Sequence, residues 1–533
     1  MTRTRFIVAL LLCFGLIAAA CGGDDDDTSA DTGTGSETAD DTGGGDGGDG
    51  EAGESDDGGT DDADTGEAGQ PGDADAGLTE ALGLPECPVG AGEGAGPTEI
   101  VVWHTYVGKT EEAHEDLAAR FNQSQTDYQV RLENLGSYGE AFRAYKDGIA
   151  TGNLPTIAIL EDITMRDVVD SGTVLPAQSC IEADGYDMAD FVPILKSFYA
   201  VDGALYPGAF NSSQPILYYN KDHFREAGLD PEAPPQTLAE MQEASEALAA
   251  AGITGLEAPM AIQLEGWMVE NWRTGAGLEI VTNDNGRAES DEVPMAAFND
   301  EATITMLTTL DELNDAGQLL PGTDEFGAYL AVGTGTSSML IQTSTAVTTV
   351  VGILGGEVDS LTELAEGTGF EDLAAEFTDL GLDIGVATLP GLEAAGAGQI
   401  GGGAWFMTNT GTPEEQAGAW EFLKFINEVE SQKLMHLKGS YLPARKAVAE
   451  DPDVVFAWEE NTAGQWLKVA VDQFNDLDPE FPGPQIGPYT ETRQALKEML
   501  EAVLLTGAEP AAAIDAAEAE VNEALQAYED ANF

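Results

Sequence analysis

Glu99-Ile-Val-Val-Trp-His-Thr-Tyr106, with the residues that follow it to Leu160, decides the fold. Ile100 to Trp103 is a short apolar run that reads as a buried strand. After the turn at Gly108-Lys109-Thr110, Ala113, Leu117, Ala118 and Phe121 recur at helical spacing, and Glu111 and Glu112 stand where a helix N-terminus favours negative charge. Tyr128 to Leu132 is a second strand, and Phe142, Tyr145 and Ile149 mark a second helix. Gly152-Asn-Leu-Pro155 leads into a third strand, Thr156 to Leu160. Strand, helix, strand, helix, strand is the opening of a doubly wound α/β sheet, which binds ligands beyond the carboxyl ends of its strands. His104 to Tyr106, Gly136 to Tyr138, and Glu161 with Asp162 stand at those ends. They form a polar and aromatic rim without evident catalytic groups.

Working outward to the N-terminus, Arg3 and Arg5 precede the apolar run Phe6 to Ala20, which has the form of a secretory signal over residues 1–20. Leu16-Ile-Ala-Ala-Ala-Cys21 resembles the lipobox of bacterial lipoproteins, in which the cysteine is acylated. This points to a lipid anchor at Cys21 and an extracytoplasmic location at the membrane face. Residues 21–86 are expected to be an acidic, disordered linker. Glycine, Asp, Glu, Thr, Ser and Ala dominate there, and neither Lys, Arg nor His occurs between Arg5 and His104. The run Asp24 to Asp27 lacks calcium-loop spacing and reads as solvated charge.

The 533 residues carry a formal charge of -76, which argues against nucleic acid as a partner, because phosphate binding needs clustered Lys and Arg. Of four cysteines, Cys13 leaves with the signal and Cys21 takes the lipid, so Cys87 and Cys180 are expected to form a disulfide. About 440 residues remain for the folded part, more than one core normally serves, and two lobes are expected.

The four histidines, His104, His114, His223 and His436, lack metal-ligand spacing, and neither a cofactor motif nor a nucleophile elbow is present. Carboxylates are too abundant for any pair to mark a glycosidase, so a secreted polysaccharide-active enzyme is the weaker alternative. Tyr138, Trp267, Trp405 and Tyr441 fall near expected lobe edges, where aromatic rings serve either core packing or the C–H faces of sugars.

Trp103-His104, Asn153-Leu-Pro155, Phe210-Asn-Ser-Ser213, Leu217-Tyr-Tyr-Asn-Lys-Asp222, Ala227-Gly-Leu-Asp-Pro231, Gly401-Gly402 and Tyr441-Leu-Pro443 occur in this order. Together they resemble family 1 of the extracellular solute-binding proteins that feed ABC importers, in particular its glycerol-3-phosphate-binding and sugar-binding members. The resemblance runs from Glu99 to Phe533, with Leu238 departing from the family's usual Trp. It implies an α/β, two-lobed, periplasmic-binding-protein-like fold (type II), each lobe a sheet flanked by helices, with a hinge between lobes. Lobe 1 is expected over 87–212 with about 403–455, and lobe 2 over 213–402 with about 456–533. It also implies a monomeric receptor without enzymatic activity or cofactor, working with permease subunits. Its ligand contacts would fall at Tyr138, Glu161, Ser213, Thr343, Gly402 and Tyr441, to which the aromatic argument adds Trp267. Gly487, in Pro484-Gln-Ile-Gly487, is read as standing where phosphate-binding relatives carry an arginine, with Arg445 and Arg493 as possible substitutes. The expected ligand is therefore a neutral sugar or polyol, with a glycerol phosphate or glycerophosphodiester as the alternative.

Overall fold

The computed structural model describes residues 77–290, 292–322, 325–355 and 381–532. The signal, Cys21 and most of the acidic linker lie outside the described residues. Strands β1 (Thr98–His104), β2 (Tyr128–Asn134), β3 (Ile157–Glu161) and β4 (Val174–Leu175) begin the first sheet. β5 (Ala200–Val201) and β6 (Ala204–Leu205) make a separate two-stranded ribbon. β7 (Ala209–Ser213) returns to the first sheet, and β8 (Pro215–Asn220) enters a second one. β9 (Ala258–Gln263), β10 (Leu319–Gly322), β11 (Ser337–Thr343) and β12 (Ile384–Thr388) complete the second sheet, and β13 (Gly401–Thr408) carries the chain back.

The first sheet has the order β2-β1-β3-β13-β4, with β7 also paired to β13. The second has the order β10-β9-β11-β8-β12. β1 pairs in parallel with β2 and β3, as the opening pattern predicts, but β13 enters antiparallel to β3 because it arrives from the other sheet. The result is a two-lobed α/β fold with helices against both sheets. Two of the interlobe crossings are close together in space: Gln214 links β7 to β8, and Leu389 to Ile400 links β12 to β13.

Local chemistry explains the element ends. Ser137 and Glu140 form a capping box at the helix Tyr138–Thr151, and Thr412 with Glu415 does the same at Pro413–Ile426, as its sequence announces. Ile157 to Leu160 are buried on both faces, which fits the continuous apolar reading of an internal strand. Ile100, Leu117, Phe121, Trp405 and Trp420 pack one side of the first sheet. Leu217, Met260, Ile262, Trp272, Met339 and Leu496 belong to the core of the second.

Two expectations are corrected. Ile149 is exposed, so the second helix packs through Ala141, Phe142, Tyr145 and Gly148. The linker does not run unstructured to residue 86: Leu78–Leu82 forms a short helix between left-handed glycines, and the Thr79 N–H donates to the Glu182 carboxylate at 3.3 Å. The disulfide Cys87–Cys180 fastens this segment to the helix Ala177–Asp184, as the cysteine count indicates.

Candidate functional site

The residues expected to hold a ligand gather along the seam between the sheets. Glu161 ends β3, Ser213 ends β7 and Thr343 ends β11. Gly401 to Gly403 begin β13, whose register places Gly401 opposite Ser213 and Gly403 opposite Glu161. Gly402 has φ +109°, and a Cβ there would collide with the Asn211 carbonyl, so this position demands glycine. Trp267, on the helix Gly266–Gly275 of the second lobe, donates its indole N–H to the Ile400 carbonyl at 3.3 Å. The Thr343 hydroxyl lies 3.1 Å from that of Thr345 and accepts its backbone N–H, capping the turn that follows.

Tyr138 and Tyr441 meet, together with Tyr106. The Tyr106 and Tyr441 rings are 5.6 Å apart edge to face, and Tyr106 stacks on His114 at 4.1 Å. The hydroxyls of Tyr106 and Tyr138 are buried, and the partners within their reach are each other and the Tyr441 hydroxyl. Burial pushes both phenols well above their ordinary pKa, and the Tyr441 phenol beside them adds to the shift. A cluster of neutral phenol hydroxyls, each able to donate and to accept, is suited to a hydroxyl-rich molecule. Trp405, by contrast, is a core residue, packed against His114 and Phe422 with its indole N–H on Asn211.

The charged centre of the seam was not legible as such. Arg493, on the helix Tyr489–Thr506, donates to Glu270 through Nε (3.0 Å) and Nη2 (2.6 Å). Its Nη1 reaches Glu161 at 3.0 Å, and Nη1 and Nη2 each reach an oxygen of Asp162 at 3.4 Å. A guanidinium has five N–H donors. All five point at carboxylates of this chain. Glu161 and Asp162 come from the first lobe, while Glu270 and Arg493 come from the second, so the cluster spans the seam. The side chains of Asp162 and Glu270 are 0% exposed, Arg493 10%, and Glu161 30%, which makes Glu161 the member that faces outward. Burial raises the carboxyl pKa of Glu161 and Asp162, and Arg493 opposes that rise.

Of the two arginines named as substitutes for one at Gly487, Arg493 is the one that stands on the seam. Gly487 lies beneath the Tyr528 ring, which a Cβ would strike, and Arg493 stands about one turn into the helix that follows. Arg445 is elsewhere, paired with Asp190 at 2.8 Å. Gly487 lines a cavity of about 380 Å³ with Arg166, Asn283, Gln485 and Tyr528, and none of the seven expected contact residues borders it.

Two sheets joined by a hinge, with hydroxyls, aromatic rings and a charged cluster converging on the seam, define a two-lobed solute-binding protein. The chain belongs to the bacterial extracellular solute-binding proteins, whose family model matches residues 116–463. It is 28% identical over 464 residues to the sn-glycerol-3-phosphate-binding periplasmic protein UgpB of Salmonella paratyphi A, covering 85% of this chain and 98% of that one. Among solved structures, UgpB from Mycobacterium tuberculosis in complex with glycerophosphocholine is similar at 20% identity and TM-score 0.64, over 81% of this chain and 99% of that chain. The cyclic alpha-maltosyl-1,6-maltose binding protein from Arthrobacter globiformis is similar at 23% identity and TM-score 0.61, over 81% and 100%. A solute-binding protein from Agrobacterium radiobacter K84 in complex with ribitol has TM-score 0.60 at 19% identity, over 82% and 100%.

Proposed function

We propose that this protein is a lipid-anchored, monomeric receptor that closes its two lobes on a neutral sugar or polyol and hands it to the membrane permease of an ABC importer. One observation carries the choice of ligand: every donor of Arg493 is engaged by Glu161, Asp162 or Glu270, so the seam offers a carboxylate rather than a free guanidinium. Sugar hydroxyls donate to Glu161, exchange hydrogen bonds with the Tyr106 and Tyr138 hydroxyls, and lay their C–H faces on Tyr441 and Trp267. Ser213, Thr343 and the backbone at Gly402 complete the contact set. Lobe closure around a ligand is an established mode of change for such architectures.

Arg493 and the relatives named for glycerol 3-phosphate and glycerophosphocholine favour a second reading, a glycerol phosphate or its diester. Calorimetry on the purified protein separates them. Binding of a neutral sugar or polyol, with glycerol 3-phosphate weak, supports the first reading, and tight glycerol 3-phosphate binding with no response to neutral solutes overturns it. Anchoring is tested apart from the ligand: Cys21→Ser should release the protein from the membrane, and unchanged attachment without a lipid adduct in mass spectrometry would refute the lipid anchor.

A further inference from the structure

Asp162 has no evident structural reason to be charged. Its carboxylate is fully buried, and its hydrogen bonds to Arg493, both 3.4 Å, are long. A buried carboxylate held this loosely is destabilising, which points to an end other than stability. Its geometry suggests the end. The Nε edge of Arg493 is gripped by Glu270, which also accepts from the Tyr489 hydroxyl at 3.1 Å and the Gln399 amide at 2.8 Å. That fixes the guanidinium and leaves its Nη1–Nη2 edge directed to the first lobe. Two parallel N–H groups on one edge are what a phosphate or carboxylate needs for a forked contact. The two oxygens of Asp162 sit on that fork, one per nitrogen.

We propose that Asp162 is the specificity-determining residue of the seam: it occupies the Arg493 fork as an internal anion and so excludes solutes that carry a phosphate. A phosphate entering the closed seam meets Glu161, Asp162 and Glu270 around one cation, and repulsion from the wrong ligand is as effective a source of selectivity as attraction to the right one. Neutral hydroxyls meet no such barrier. This inference rests on the neutral-solute reading and names the group that enforces it.

The test measures the affinity of the purified protein for sn-glycerol 3-phosphate by calorimetry, in the wild type, in Asp162→Asn and in Asp170→Asn. Asp170 ends the helix Met165–Asp170, paired with Arg166 and Tyr528, and its substitution removes the same charge away from the fork. Asp162→Asn should bind glycerol 3-phosphate at least about tenfold more tightly than the wild type, the scale of one additional charge-assisted hydrogen bond, while Asp170→Asn should not. Should Asp162→Asn lose cooperative melting, Asp162→Ser carries the same comparison. Unchanged affinity in the Asp162 variants, or an equal tightening in Asp170→Asn, overturns the inference and leaves the neutral reading standing. A wild type that already binds glycerol 3-phosphate tightly overturns the neutral reading itself.

Discussion

The side-chain amide of Gln473 donates to the side-chain carbonyl of Gln214 at 3.1 Å, fastening a helix of the second lobe to the residue at which the chain first crosses between sheets. The same Gln473 nitrogen donates to the Pro215 carbonyl at 2.9 Å, and its oxygen accepts the Leu389 N–H at 2.8 Å, where the chain starts back. Gln214 in turn donates to the Gln399 carbonyl at 3.0 Å. Three buried glutamines thus tie the two crossings into one polar hinge, and Gln399 extends it to Glu270.

Gln473→Leu keeps the volume and strands the Leu389 N–H and the Gln214 carbonyl. Leaving buried polar groups unpaired costs on the order of 1–3 kcal/mol each. The variant should unfold at least about 2 kcal/mol more easily in denaturant titration. An unchanged midpoint would mean that water replaces the lost partner and that the hinge does not depend on the amide.

At the near end of β13, Gly401 leaves the room that the Trp267 ring occupies, since a Cβ there would run into the indole. Gly401→Ala therefore displaces Trp267 from the hinge strand. Overpacking of this kind costs about 1–3 kcal/mol. Solute affinity should fall by about tenfold, and the quenching of tryptophan fluorescence on ligand addition should change with it. A variant with wild-type affinity would place Trp267 outside the contact set.

Glu161 and Tyr441 are the carboxylate and the ring expected to meet the solute directly. Glu161→Ala and Tyr441→Ala should each weaken binding of a neutral sugar by at least about 1 kcal/mol, one hydrogen bond or one aromatic contact. Calorimetry at matched temperature measures both. Wild-type affinity in either variant would remove that residue from the proposed site.

The fold was largely legible because its signals are local. Ile157 to Leu160 announce a buried strand, Thr412 to Glu415 a helix start, and Gln399 to Trp405 a flexible return to the first sheet. The site was legible only where polar residues end strands, as Glu161, Ser213 and Thr343 do. Arg493 carried a usable signal: with Leu496, Leu500 and Val503 it falls on the buried face of its helix, where an unpaired cation would not be tolerated. Glu270 gave none, because its helix is buried nearly all round and a carboxylate among Val269, Asn271 and Trp272 fits no periodic face. Its partner lies 223 residues along the chain, so only the fold brings the two together.

His436 gives the protein an acid-sensitive point beneath the site. Its Nε2 accepts the Trp458 indole N–H at 2.9 Å, which requires the proton on Nδ1, and that nitrogen lies 2.9 Å from the Tyr441 carbonyl. The ring is therefore held neutral, and burial lowers its pKa from 6.5 to about 4. The sign follows from linkage. Between these values the unfolded chain takes up a proton at His436 and the folded protein does not, so this residue's contribution to stability falls as pH falls through the window. The slope approaches about 1.4 kcal/mol per pH unit midway between the two values, and the integrated loss from pH 6.5 to 4.5 is about 2 kcal/mol. Buried His114, lowered to about 3, acts in the same direction, whereas Asp167, raised to about 7, acts in the opposite one, so whole-protein curves mix the terms. Comparison with His436→Gln isolates one. The variant should be less stable than the wild type at pH 7, and the difference should shrink by about 2 kcal/mol on acidification to pH 4.5, because only the wild type loses the histidine term. Denaturant titrations of both proteins at pH 7, 6, 5 and 4.5 measure it. A difference that stays constant across the series would show that His436 titrates normally in the folded protein, and that the Trp458 and Tyr441 contacts do not hold it neutral.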